Sequence, residues 1–208
     1  AALAAGLFLT VLTLAVSTAI IFSSMAVAQQ PKPAAATPDI ATTPIPREGK
    51  WLKRHESMNA QVKQGNVDLI FIGDSITQGW EGAGKNVWTN YYSKRKCLNF
   101  GVGGDRTEHV LWRFENGQLD GLQPKAAVLM IGTNNSNAED NTPGQIVDGI
   151  AAIVAKLRER LPNTKILLLG IFPRSENFTA QRGKLTQINQ VIAKLESKLA
   201  KRRKQLGG

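Results

Sequence analysis

The stretch VDLIFIGDSITQGW, residues 67–80, decides how the chain folds. Val67 to Gly73 is apolar apart from Asp68, partly β-branched, and bounded by Gly65-Asn66 on one side and Gly73 on the other. A short run of that make reads as a strand buried on both faces. Ser75 follows at once, between Gly73-Asp74 and Ile76-Thr77-Gln78-Gly79. A serine at the mouth of a buried strand, near the N-terminus of a following helix, has backbone N–H groups around it. Those donors can hold an oxyanion after a hydroxyl attacks a carbonyl. Taken alone, Ser75 is better explained as a helix cap.

The flanking sequence repeats the pattern. Cys97–Phe100, Ala126–Ile131 and Lys165–Ile171 are further short apolar runs. Between them lie helical segments: Trp51–Lys63, Thr107–Phe114, a long one from Thr142-Pro143 to Arg160, and Lys184–Lys201. The long helix carries Ile146, Ile150, Ile153, Val154 and Leu157 on one face and stops at Leu161-Pro162. Strands alternating with helices, each strand apolar on both faces, predict an α/β domain with a parallel sheet covered by helices. Chemistry in such sheets sits at the C-terminal strand ends. Here those ends read Gly73-Asp74-Ser75, Gly101-Val102-Gly103-Gly104-Asp105, Gly132-Thr133-Asn134-Asn135 and Phe172-Pro173-Arg174. Gly103 and Gly104 permit close backbone approach. A main-chain N–H in that loop and the side-chain amide of Asn134 are candidate second and third oxyanion donors, although asparagine at a turn is often only an Asx turn. No Gly-x-Gly-x-x-Gly or P-loop follows a strand, which disfavours a nucleotide binder.

These residues resemble a known family. GDSIT at 73–77, NFGVGGDRTEHVLWR at 99–113 and GTNN at 132–135 are similar to three ordered blocks of the SGNH (GDSL-type) esterases, in the branch of the platelet-activating-factor acetylhydrolase catalytic subunits. The resemblance spans roughly residues 47–196. It implies a flavodoxin-like three-layer α/β/α fold, a serine esterase mechanism through an acyl-serine, and no cofactor or metal. Carried over by motif, Ser75 is the nucleophile. Its N–H, the Gly104 N–H and the Asn134 amide form the oxyanion hole, with Gly73, Asp74, Gly103 and Asp105 in support. The implied substrate is a short-chain ester, acetyl above all, of a carbohydrate or lipid. Trp80 and Trp88 suit either.

The family pattern closes with an Asp-x-x-His block that supplies the base after one further strand. This chain has two histidines, His55 and His109, and neither matches that block. His109, four residues after Asp105, reads as a packing imidazole, and His55 is expected on the far side of the chain from the strand ends. The expectation is therefore a C-terminally incomplete domain with little turnover. The alternative is a non-catalytic binding module on a degenerate esterase fold.

The ends carry the remaining signals. Leu3–Val27 is an unbroken apolar run, and Ala26-Val27-Ala28 suits cleavage before Gln29. Residues 1–28 read as a signal peptide or a retained N-terminal membrane anchor, and either exports the rest, to the periplasm or outside. Residues 29–49 hold five of the nine prolines and read as an unpacked linker, leaving 50–208 as the domain. The length fits a single domain, and the lone Cys97 excludes an intrachain disulfide. Half of the +10 charge falls in the last fifteen residues, where Lys194, Lys198, Lys201, Arg202, Arg203 and Lys204 stand against Glu196. That run reads as the solvated end of a helix. No aromatic residue interleaves it, so nucleic acid is disfavoured as a partner.

Overall fold

The computed structural model describes residues 40–137 and 140–195. Four parallel strands form the centre: β1 (Leu69–Gly73), β2 (Cys97–Gly101), β3 (Ala126–Met130) and β4 (Lys165–Leu168). They lie in the order β2-β1-β3-β4. Leu69 is level with Cys97 on one side and Ala126 on the other, and Ala126 is level with Lys165. The chain steps from β1 outward to β2 and then back across to β3. The order therefore reverses beside β1, where an open sheet leaves a crevice at its strand ends.

Among the described residues, six α-helices flank the sheet: α1 (Lys50–Lys63), α2 (Ser75–Gln78), α3 (Lys85–Tyr91), α4 (Thr107–Arg113), α5 (Pro143–Arg160) and α6 (Ala180–Ile192). Pro143 begins α5, where its missing N–H costs nothing. Thr142 and Gln145 cap that helix reciprocally, Gln145 N donating to Thr142 Oγ1 at 3.2 Å and Thr142 N to Gln145 Oε1 at 2.9 Å. The apolar stripe anticipated on α5 is buried throughout. α6 starts four residues earlier than the sequence pattern suggests, because the Thr179 hydroxyl accepts from Arg182 N and caps it there. Residues 196–208 lie outside the described residues, and with them most of the basic run. The short helices α2 and α3 carry too few turns to show a period, and Gly79, Gly82 and Gly84 interrupt the pattern between them.

One face of the sheet presents Ile70, Ile72, Ala127 and Leu129 to a core shared with Val110, Phe114, Ile150, Ile153, Leu157, Leu185 and Ile188 on the surrounding helices and turns. The other face is covered unevenly. Over β1, Phe71 packs edge-on against Trp88 and Tyr92, with ring centroids 5.1 Å away in each case. Over β3 and β4 the same face borders a hollow of about 310 Å³ lined by Val128, Met130, Leu167 and Phe172.

The segment just before α1 departs from expectation. Its prolines predict an unpacked linker through residue 49, yet Ala41 is fully buried. The Ala41 carbonyl accepts from Thr107 Oγ1 at 2.8 Å, and Ile45 N donates to Glu108 O at 3.3 Å. Gly149 makes this docking feasible, because a Cβ there would stand 2.7 Å from Ala41 O. The packed part of the domain thus includes residues from 40 onward. The N-terminal apolar run and the remainder of the Pro-rich stretch lie outside the described residues. Among the described residues no helix is long and apolar enough to cross a membrane.

Candidate functional site

β1 delivers Ser75 to the crevice. The Asp74 carboxylate accepts from Ile76 N at 2.9 Å and so caps α2, which leaves Ser75 without that duty. Ser75 is the first residue of α2 and is exposed. Its N–H is one of the donors a helix start leaves without an intrahelical partner. Asp74 itself is buried, and burial pushes its carboxyl above the usual range, with the Ile76 N–H pulling the other way. α2 can lie against the sheet only because two positions lack a side chain. A Cβ on Gly73 would sit 3.0 Å from Thr77 Cβ, and one on Gly101 would sit 2.6 Å from Thr77 C.

The loop after β2 is bonded to this turn. Val102 N donates to Gly73 O at 3.1 Å, and Asn99 Nδ2 donates to Thr77 O at 3.0 Å. Gly103 N donates to Gln78 Oε1 at 2.7 Å, so that N–H is already committed. Gly103 also faces the serine, since a Cβ there would be 4.0 Å from Ser75 Cβ. Gly104 has φ +77°, a conformation that favours glycine, and its N–H meets no acceptor among the described residues. The loop after β3 is bonded in turn to the glycine loop. Asn134 Nδ2 donates to Asp105 O at 2.8 Å, and Asn135 Oδ1 accepts from Thr107 N at 3.0 Å. An amide nitrogen carries two protons, so one on Asn134 remains available.

The structure therefore gathers Ser75, Gly103, Gly104 and Asn134 at one end of the sheet, with Gly73 and Asp74 beneath the serine. Asp105 lies below them, fully buried. Trp51 Nε1 donates to its Oδ1 at 2.6 Å, and Arg113 Nη2 stands 2.9 Å from Oδ2, off the line of a hydrogen bond. Burial pushes the Asp105 carboxyl up, opposed by Arg113, Trp51 and Arg47. Asp105 holds the loop and is not presented to the crevice.

One ring nitrogen of each histidine is bonded elsewhere. His109 Nδ1 accepts from Arg106 N at 3.0 Å at the start of α4, which leaves the ring proton on Nε2. Burial, with Arg47, Arg106 and Arg113 nearby, pulls its pKa down to about 4. His55 Nε2 donates to Asn116 O at 2.9 Å. Burial lowers its pKa as well. The expectation that His55 starts far from the strand ends is corrected in part. α1 begins at the crevice, where Arg54 donates to Gly101 O at 2.9 Å through Nε and at 2.7 Å through Nη2. His55 nonetheless turns away, toward Asn116 and the ring of Trp112 5.2 Å off.

Four side chains that frame this end do not stand out in the sequence: Arg47, Arg54, Gln78 and Asn135. Gln78 has a signal, standing one helical turn after Ser75. Arg47 has none, because it sits among prolines that point to a linker.

Residues 71–204 match the GDSL-like Lipase/Acylhydrolase family. Over 160 residues the chain is 37% identical to platelet-activating factor acetylhydrolase IB subunit alpha2 of Homo sapiens, covering 77% of this chain and 68% of that one. Over 145 residues it is 38% identical to subunit alpha1 of Homo sapiens, covering 70% and 61%. Two solved structures share the fold. One is named for a platelet activating factor of Streptococcus pneumonia, with TM-score 0.55 and 24% identity over 70% of this chain and 71% of that one. The other is named as an acylhydrolase of Bacteroides fragilis, with TM-score 0.52 and 22% identity over 76% and 75%. Three motif-bearing strand ends drawn together around one serine, in a sequence this close to known relatives, place the chain in the GDSL-like lipase/acylhydrolase family.

Proposed function

We propose that the chain carries the nucleophile and oxyanion hole of a serine esterase for short-chain, chiefly acetyl, esters of a carbohydrate or lipid. Ser75 Oγ attacks the ester carbonyl as its proton leaves to a base. The N–H groups of Ser75 and Gly104 and the Asn134 amide take the oxyanion. The C–O bond of the ester then breaks, the alcohol leaves with a proton, and water releases the acid from Ser75. What supports this reading is the loop after β2: Gly103 faces Ser75, the next N–H, that of Gly104, meets no acceptor among the described residues, and the loop is braced by Gln78 and Asn134. The apolar run near the N-terminus supports action outside the cytoplasm.

His55 Nε2 donates to Asn116 O, His109 Nδ1 accepts from Arg106 N, and neither histidine is bonded to Ser75 among the described residues, so the 208-residue chain is expected to turn over slowly. A serine site without its base keeps roughly 10³ to 10⁴ over water. The same commitment of both histidines favours a second reading, a module that binds an acylated partner without hydrolysing it. The test is p-nitrophenyl acetate hydrolysis by the wild type and Ser75→Ala, paired with labelling by paraoxon followed by intact mass and peptide mapping. Slow hydrolysis and a label on Ser75, both lost in Ser75→Ala, are expected. No label on Ser75 would leave the binding module standing. Hydrolysis at a complete esterase's rate, lost in Ser75→Ala, would show that another base serves the site.

A further inference from the structure

We infer that Arg47 is a positioning residue for the oxyanion hole, an inference that rests on the esterase reading above. Its Nη1 donates to Gly103 O at 2.9 Å. That carbonyl and the Gly104 N–H belong to one peptide group. A cationic donor on the oxygen draws electron density from the nitrogen and makes its N–H a stronger donor. The bond also fixes the plane of the peptide, and so the direction in which the Gly104 N–H points. A second fastening lies one peptide earlier, where Gly103 N donates to Gln78 Oε1 at 2.7 Å. With those two bonds in place, the segment from Gly103 to Gly104 has little freedom to rotate. Preorganised donors of this kind need no rearrangement as charge develops.

The guanidinium is itself held where it is needed. Nη1 lies 3.4 Å from Asp105 Oδ1, which anchors the side chain from below. A Cβ on Gly104 would stand 3.2 Å from Nη1 and 3.4 Å from Nη2, so the cation rests directly against Gly104. The peptide is trans, so its carbonyl and N–H point in opposite directions, and the cation sits across the peptide from an oxyanion bound by the Gly104 N–H. Asp105 is shared with Arg113, which leaves the charge of Arg47 only partly answered. Arg47 touches neither the serine nor the candidate reacting atoms, so its effect passes through the peptide.

The experiment measures labelling of Ser75 by paraoxon in the wild type, Arg47→Ala and Arg47→Lys. In this reaction the Ser75 Oγ–P bond forms, the P–O bond to the nitrophenyl group breaks, p-nitrophenolate leaves, and the serine proton passes to solvent. The phosphoryl oxygen occupies the oxyanion hole. Arg47→Ala is expected to lower the maximal labelling rate about tenfold to thirtyfold, well short of losing a whole donor. The half-saturating paraoxon concentration is expected to stay within about twofold. Arg47→Lys retains a cationic donor and falls between. Guanidinium at tens of millimolar is expected to restore labelling in Arg47→Ala, which a loosened fold would not permit. An unchanged maximal rate in Arg47→Ala, or a lowered rate that guanidinium fails to restore, overturns the assignment while leaving the esterase reading intact. Absence of any Ser75 label in the wild type overturns both.

Discussion

The strand ends of β1, β2 and β3 are built differently from that of β4. The first three are tied to one another by side chains that bond main-chain groups: Gln78 to Gly103, Asn99 to Thr77, Asn134 to Asp105, and Asn135 to Thr107. Beneath them a tryptophan N–H and two arginines converge on Asp105. β4 is a four-residue edge strand paired only with β3 among the described residues. Past its end, Asn189 bonds both the N–H and the C=O of Ile171, each at 2.8 Å, and the exposed side chain of Arg174 reaches the loop after β3, at Thr133 O (3.4 Å) and Asn137 Oδ1 (2.7 Å). Leu167 in that strand is 56% exposed. Buried polar bracing is destabilising wherever it is left incomplete. It is concentrated where backbone N–H groups must keep their direction, and it thins where the sheet needs only to pair.

The largest break in this comparison is expected from Asp105→Ala. The change removes the acceptor for Trp51 and the counter-charge of Arg113, whose side chain is fully buried. An uncompensated buried cation costs about 3–5 kcal/mol. Urea unfolding should register a loss of that size. A loss below about 1 kcal/mol, the worth of an exposed pair, would mean that the braced region does not depend on this carboxylate.

Much of this division was legible in the sequence. Four apolar runs, each followed by a polar or glycine-marked turn, were enough to place the sheet and its chemical end, and the gathering of Ser75, Gly104 and Asn134 followed from where those turns fell. Boundaries shifted where a capping side chain decided them, as Thr179 does for α6. Arg47 and the docked segment around Ala41 were not legible. Proline and alanine there suggested an open linker, and only Gly149, distant in sequence, makes the room that Ala41 occupies. Asp105 could be read as supporting, but its partners Trp51 and Arg113 come from two different helices, and sequence spacing cannot show that they meet.

A smaller effect is expected from pH, and it isolates the braced side. His109 is held neutral, with a folded pKa of about 4, well below that of a free imidazole. Protonation therefore favours the unfolded chain. The stability due to the neutral ring is complete above about pH 6.5 and is lost as the pH falls toward 4, amounting to on the order of 2–3 kcal/mol at the acid end. The raised carboxyls of Asp74 and Asp105 slope the opposite way, so the wild-type curve alone is a sum of opposed parts. His109→Asn separates them. An asparagine oxygen can take the Arg106 N–H in place of Nδ1 but does not titrate. Its melting temperature should fall less than that of the wild type between about pH 6.5 and 4. Parallel curves would show that His109 is not the acid-sensitive group.

The smallest effect tests whether the edge is independent of the braced region. Asn189→Ala removes two hydrogen bonds at once and leaves the Ile171 N–H and C=O without those partners. A typical bond contributes about 1 kcal/mol net, and the groups are only part-buried, so a loss of about 1–2 kcal/mol is expected by urea unfolding. Ile171 packs against Gly132, where a Cβ would stand 3.0 Å from Ile171 Cδ1, and Gly132 opens the turn that carries Asn134. A route for strain from β4 into the oxyanion loop therefore exists. The four side-chain bonds that brace the other three strand ends all lie on the near side of that contact, and they should absorb it. Paraoxon labelling of Ser75 in Asn189→Ala is thus expected within about twofold of the wild type despite the lower stability. A fall in labelling that exceeds this, at a temperature where the variant is fully folded, would show that Asn189 helps to aim Asn134 and that the two regions act as one.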